Sequence, residues 1–310
     1  MAQDLEKLKD WIGERETDVD YVTIPAVHRM AATLDRDDPV PKFGDPLPPG
    51  WQVMLFPRVV RQSQIGHDGH PMRGDFLPPV PLPRRMNAGR RTWSHDALRI
   101  GDEVKKEASI KDVVIKSGRN GQMVFVTVKT DMISPRGLAI TEEMDVVYRE
   151  EPDPNAPKAV PKTPPAGAVW TKVFNPDPVV LFRYSALTFN GHRIHYDYPY
   201  VTGKEGYPGL VQNGGLTNLL LFELARANAK TPVKYLSARN IRPMFADQPF
   251  TLCGAPSADG KSAQLWTVDA TGAQATEAGV VLAGSAMKAG VLTTGVVRLM
   301  AGVLFADMVQ

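Results

Sequence analysis

Near the midpoint of this 310-residue chain, residues 150–165 read Glu-Glu-Pro-Asp-Pro-Asn-Ala-Pro-Lys-Ala-Val-Pro-Lys-Thr-Pro-Pro. Neither a helix nor a strand ladder propagates through such a run, because each proline lacks the amide donor and restricts its predecessor. The chain is therefore expected to fold as two halves, residues 1–150 and 169–287, joined by a linker over 151–168. Each half is long enough to bury a core of its own.

The same order of signals recurs on either side of the linker, which suggests duplication. In the first half an apolar run over 104–115 is followed by the turn Gly118-Arg119-Asn120-Gly121, a β-branched run over 123–130, and a run from Gly137 to Tyr148. In the second half a run over 250–254 is followed by the turn Ala258-Asp259-Gly260, a run over 263–269, and a run from Thr271 to Ala283. Such runs bounded by turn residues predict antiparallel strands. Helical signals are fewer. Residues 215–230 are apolar nearly all round, as in a helix wrapped by a sheet. Shorter helices are predicted over 4–13 and 25–34. Residues 42–85 alternate Pro, Gly and long apolar side chains without a period and predict an overhanging loop with short strands.

Charge and cysteine content exclude several classes. With 36 basic and 34 acidic residues the net charge is +2, which offers no footprint for nucleic acid or an anionic membrane. The lone Cys253 excludes an internal disulfide and a cysteine-based zinc cluster, and suits a small core position. The acidic, amphipathic N-terminus lacks a signal core, so a cytoplasmic protein is expected. The apolar tail over 288–310 carries Arg298 in its middle, so docking is expected and not membrane insertion. Gly66-His67-Asp68-Gly69-His70 presents two histidines in a glycine-bearing loop; without a third ligand it predicts a hydrogen-bonded turn, and no metal is expected.

The chemistry concentrates in residues 182–197 and 211–216. His195 is the group best suited to take and return a proton near neutral pH. Asn190, five residues before it, can orient a water but cannot accept its proton. Asp197, two residues after the histidine, either fixes the imidazole tautomer or completes the acid/base pair, with a purely structural role as the alternative. Asn213, Gly214 and Gly215 open the apolar helix, where free amides and glycine's small size suit a carbonyl oxygen turning into an enolate. No nucleotide-binding, serine-hydrolase or zincin motif occurs.

On these residues, and on Gly69 to Met86, Tyr207 to Leu210 and Arg239 to Asp247, the chain resembles the MaoC-like hydratases and dehydratases with two hot-dog domains. The branch is that of the type 2 hydroxyacyl-thioester dehydratases, which includes mesaconyl-C4-CoA and itaconyl-CoA hydratases. The resemblance covers about residues 1–287 and implies an α+β fold of two tandem hot-dog domains, each an antiparallel sheet wrapped around a helix. It implies that the first domain is catalytically degenerate and holds the acyl chain, while the second is catalytic. The family's catalytic histidine falls on His195, its acid position on Asn190, and its His-Gly helix start on Asn213 and Gly214.

The activity implied is reversible hydration of a 2-enoyl thioester to a 3-hydroxyacyl thioester, on a short or dicarboxylic acyl-CoA. Alternatives are a 3-hydroxyacyl-ACP dehydratase of fatty-acid synthesis, a non-catalytic acyl-thioester-binding protein, and a thioesterase. No cofactor is implied, since coenzyme A is part of the substrate, and acyl-CoA or acyl-carrier protein is the partner. A homodimer is compatible with the family. Tyr184, Arg183, Arg193, Arg84 and Arg85 are candidates for the acyl group or a second carboxylate, and Arg239 and Arg242 for CoA, because guanidinium binds carboxylate and phosphate in bidentate fashion.

Overall fold

In the computed structural model, which describes residues 5–72, 76–118, 121–151 and 160–284, ten strands form one continuous antiparallel sheet. They are β1 (Arg15–Tyr21), β2 (Arg84–Ser94), β3 (Glu103–Gly118), β4 (Gly121–Ser134), β5 (Gly137–Arg149), β6 (Trp170–Phe174), β7 (Val233–Asn240), β8 (Phe250–Pro256), β9 (Ser262–Val268) and β10 (Gln274–Leu282). Their spatial order is β1-β3-β4-β5-β2-β7-β10-β9-β8-β6. Counted outward from the β2–β7 seam, the first half runs β2-β5-β4-β3-β1 and the second β7-β10-β9-β8-β6, so the two halves repeat one topology. Five register pairs from Gly89↔Arg239 to Trp93↔Tyr235 join them.

Four α-helices accompany the sheet: α1 (Ile24–Thr33), α2 (Pro178–Leu187), α3 (Tyr198–Gly203) and α4 (Gly214–Asn228). The first three start conventionally, with Thr23, Asp177 and Asp197 accepting from Ala26 N, Val180 N and Tyr200 N and a proline in the first turn. α4 alone has no side-chain cap. Its Leu216, Leu219, Leu220, Leu221, Leu224 and Ala225 are buried, and they share a core with Leu236, Leu252, Leu265 and Val280 of the surrounding strands. Full burial of each leucine contributes about 2 kcal/mol. The same core takes in Val27 and Met30 of α1 and Trp51, whose indole nitrogen donates to Glu223 at 2.9 Å.

Among the described residues between β1 and β2, the first half has no counterpart of α4. Leu8, Val80 and Leu82 pack instead against Ile110, Val113, Val124, Val126, Val146 and Tyr148. An extended proline-bearing segment, 76–83, thus occupies the sheet face that a helix fills in the second half. Three sequence expectations are corrected here. The helix expected over 4–13 is a 3-10 turn, Leu5–Trp11. The short strands expected within 42–85 are two 3-10 turns, Trp51–Met54 and Gln62–Gln64, with isolated bridges such as Ile65↔Pro71. Strands β1 and β6 were missed: both are edge strands whose side chains are mostly exposed, so neither shows a buried face in its pattern. The apolar tail over 288–310 and part of the linker lie outside the described residues. No described helix is long and apolar enough to cross a membrane.

Candidate active site

α2 ends at Leu187, and the chain turns through Phe189, at φ 52°, into a loop that reaches the 3-10 turn Arg193–His195. His195 is buried, 7% exposed, and its Nδ1 donates to the Val211 carbonyl at 2.7 Å. A carbonyl can only accept, so the neutral ring carries its proton on Nδ1 and presents the Nε2 lone pair. Nε2 has no hydrogen-bond partner among the described residues. Burial pushes His195 down to about 4, against a smaller opposing effect of the Val211 hydrogen bond.

Val211 lies three residues before α4, and the approach to the helix is pinned on both sides. Val211 N donates to Ile194 O at 2.9 Å, and Gln212 N to Met244 O at 2.8 Å. Asn213, 2% exposed, spends its Nδ2 on Ser185 Oγ at 3.2 Å, and so does not cap the helix. Its Oδ1 and both polar atoms of Gln212 are buried without partners. The helix begins with two glycines packed against other side chains: a Cβ on Gly214 would lie 2.6 Å from Asn240 Nδ2, and one on Gly215 would lie 2.5 Å from the Tyr184 hydroxyl. Tyr184 is pushed up to about 12 by burial, and stays a protonated phenol beside the helix mouth. An uncapped helix start leaves amides aimed outward with the positive end of the dipole behind them.

The remaining predicted residues divide. Asn190 is half-buried, and its Oδ1 accepts from the His192 amide at 3.1 Å. Asp197 caps α3 through Tyr200 N at 3.0 Å and binds Arg193 at 2.8 and 2.9 Å, which, with the cap, holds its carboxyl below its usual range. The tautomer of His195 is thus fixed by Val211 O and not by Asp197. Arg84 pairs with Glu151 at 2.7 Å and with Glu205, Arg239 faces Glu277 at 2.8 Å, and Arg242 faces Asp269 at 3.3 Å. Arg183 is exposed on α2, and neither it nor Arg85 has an ion pair among the described residues.

Sequence reasoning set the Gly66–His70 loop apart from the site, and the structure brings it there from the first half. Arg193 N donates to Asp68 O and Arg193 Nη1 to His67 O, each at 2.9 Å. Gly69, at φ +88°, approaches so closely that a Cβ on it would lie 1.9 Å from Gly191 O. Asp68 accepts from the His70 amide at 3.0 Å and faces His70 Nδ1 at 3.1 Å. Burial acts to raise the Asp68 carboxyl, but these hydrogen bonds and the neighbouring imidazoles prevail and hold it well below the usual range. The His70 ring lies 4.0 Å from that of His192, which in turn meets His195 edge-on at 5.4 Å. Burial, with His70 and His195 nearby, pushes His192 down to about 2, and the charge of Arg85 adds to this. Asp68, His70 and His192 offer ligand atoms within 4.8 Å of one another, so they are the described residues that could hold a metal.

The chain is similar to known proteins over most of its length. The model of the family described as hydroxyacyl-thioester dehydratase type 2 matches residues 50–246. The chain is 45% identical over 252 residues to the mesaconyl-C(4)-CoA hydratase of Chloroflexus aurantiacus, covering 80% of this chain and 89% of that one. Among solved structures, a MaoC-like dehydratase from Phytophthora capsici superposes with a TM-score of 0.67 at 13% identity, over 91% of this chain and all of its own (100%). A Mycobacterium tuberculosis protein described as having a double hotdog fold gives 0.52 at 14% identity, over 87% of this chain and 96% of its own.

Proposed function

Because the chain belongs to the hydroxyacyl-thioester dehydratase type 2 family, we propose that its hydro-lyase chemistry, the reversible addition of water to an enoyl thioester, runs through His195 and the start of α4. The single observation that carries this reading is the hydrogen bond from His195 Nδ1 to Val211 O, because it leaves the basic Nε2 uncommitted and ties the ring to the segment that leads into an uncapped helix. In hydration, a water gives one proton to His195 Nε2 while its oxygen bonds C3. The C2=C3 electron pair shifts toward the thioester carbonyl, whose growing negative charge meets the amides of Gly214 and Gly215. His195 then returns its proton to C2, which regenerates the neutral ring. Dehydration is the reverse. One acid/base group suffices because the proton taken is the proton delivered.

The substrate we favour is a dicarboxylic acyl-CoA such as mesaconyl-C4-CoA, which is named for the Chloroflexus relative. Arg85 supports this choice. It has no ion pair among the described residues, and its charge reaches His192 beside the proposed base. A guanidinium there suits a second carboxylate on the acyl group.

Mass spectrometry tests the proposal directly. Incubation with mesaconyl-C4-CoA is expected to add the mass of one water, faster than with crotonyl-CoA, and Arg85→Gln is expected to remove that preference. Release of free thiol without addition of water would indicate a thioesterase instead, and tight binding without any mass change a sensor.

A further inference from the structure

The loop that carries His195 holds a second imidazole for which the proposed mechanism has no role. We propose that His192, buttressed by the Asp68–His70 pair of the first half, is a second catalytic residue that holds the attacking water together with His195. The inference rests on the hydro-lyase reading above.

Two observations carry it. First, the acceptor atom of the side chain expected to hold the water is already committed: Asn190 Oδ1 accepts from the His192 backbone amide at 3.1 Å, which shapes the loop beside His192 and leaves only the amide NH2 of Asn190 uncommitted. Second, the His192 ring meets the His195 ring edge-on with centroids 5.4 Å apart at an interplanar angle of 88°. Rings with centroids that far apart have room for one water between them that a nitrogen of each ring contacts at about 2.8 Å. Neither nitrogen of His192 has a hydrogen-bond partner among the described residues.

The role of the first half follows from the contacts beneath His192. The His70 ring lies 4.0 Å from it, and His70 is itself held by Asp68 through its backbone amide and its Nδ1. The loop that carries this pair is fixed to the catalytic loop by Arg193 and by the close approach of Gly69 to Gly191. Asp68 and His70 are positioning residues, since they act through His192. In the step itself the water's first hydrogen passes to His195 Nε2 and is later returned to C2. The second remains on oxygen, hydrogen-bonded to His192, and becomes the hydroxyl hydrogen of the product. His192 gains and loses no proton, so the balance of the reaction is unchanged. What it supplies is the orientation of the oxygen lone pair toward C3.

The test uses the full chain, assayed for water addition to an enoyl-CoA, with thermal melting followed in parallel. His192→Phe keeps a ring against His70 but has no nitrogen, and kcat is expected to fall by about 100-fold with KM changed only a few-fold. His192→Asn, which can still accept a hydrogen bond, is expected to recover part of that loss. Asn190→Ser, whose hydroxyl can still accept from the His192 amide but is too short to reach the water, is expected to cost much less than His192→Phe. A folded His192→Phe enzyme with kcat within threefold of the wild type overturns the proposal, as does an Asn190→Ser loss equal to or larger than that of His192→Phe. Wild-type activity that disappears on removal of metal by chelation and returns with zinc also overturns it, because Asp68, His70 and His192 would then be ligands. A wild-type protein that hydrates no enoyl thioester overturns the hydro-lyase reading itself, a result obtained before any variant is made.

Discussion

The two halves of the sheet share one strand order, but what each sheet face packs against differs. In the second half a helix lies there and its uncapped start faces the catalytic loop. In the first half an extended segment with four prolines over 76–83 lies there, and offers no helix terminus. A repeated scaffold therefore does not make a repeated site, because the amides proposed to receive an oxyanion belong to the helix and not to the sheet. The difference also frees the first half for another task. Its long connection over 35–83, with no α-helix among the described residues, sends the Gly66–His70 loop across to the other half's Arg193–His195 turn.

The comparison can be broken first at the base. His195→Gln is expected to lower kcat by about 1,000-fold or more, while the melting temperature changes little, since glutamine can still donate to Val211 O. Enoyl-CoA hydration and thermal melting of the same sample check it, and retained turnover would remove the second half's claim to the chemistry. Next in size is the contact between halves. Gly69→Ala meets both a positive φ and a carbonyl 1.9 Å from the new Cβ, so a loss on the order of 3 kcal/mol of stability and a fall in kcat are expected. Denaturant titration and kinetics measure it; a stable, fully active variant would mean that the first half's loop is dispensable.

A pH series sharpens the same contrast, because it addresses only the second half's imidazoles. The groups facing the His195 ring are His192, His70 and the Val211 carbonyl. Its folded value, about 4, lies below the ordinary 6.5, so the unfolded chain binds the extra proton first as pH falls. Stability is thus fully present above about 6.5 and is lost progressively toward 4, by on the order of 3 kcal/mol for this group. The base form persists over the same range, so kcat/KM is expected to stay level through pH 6.5 and to fall with a midpoint near 4, read under conditions where the fold survives. A midpoint at 6.5 would show a solvated imidazole. A smaller effect is expected for Gly214→Ala, where the methyl displaces the Asn240 side chain from 2.6 Å, and kcat is expected to drop about 10-fold with little change in melting. The smallest is Asp197→Asn, expected to leave kcat within a few-fold because its carboxylate serves α3 and Arg193 and not the His195 ring.

Much of this was legible in the chain. The turn residues Gly121 and Gly260, the β-branched runs and the proline-rich midpoint located six of the ten strands, β3, β4, β5, β8, β9 and β10, since each of those has a buried face that imposes a pattern. Strands β1 and β6 escaped because edge position leaves both faces mostly exposed. At the site, His195 and the Gly214–Gly215 start were visible as residue types at a characteristic spacing. His192 and Asp68 were not, although the density of histidine around a left-handed Gly69 was a usable signal. More than a hundred residues separate Asp68 and His192, and no local spacing encodes their contact.

By itself, then, the sequence determined the elements: which segments become strands, where the one long apolar helix starts, and which imidazole sits in a family motif. These follow from local propensity and burial pattern, which act over a few residues. Tertiary structure alone decided the partners. It gave His195 its tautomer through Val211, assigned Asp197 to a helix cap, paired most of the candidate arginines, and brought the first half's aspartate and histidine against His192. Such choices depend on how a continuous sheet positions its loops in space, and a hydrogen bond is specific to distance and angle and not to sequence separation.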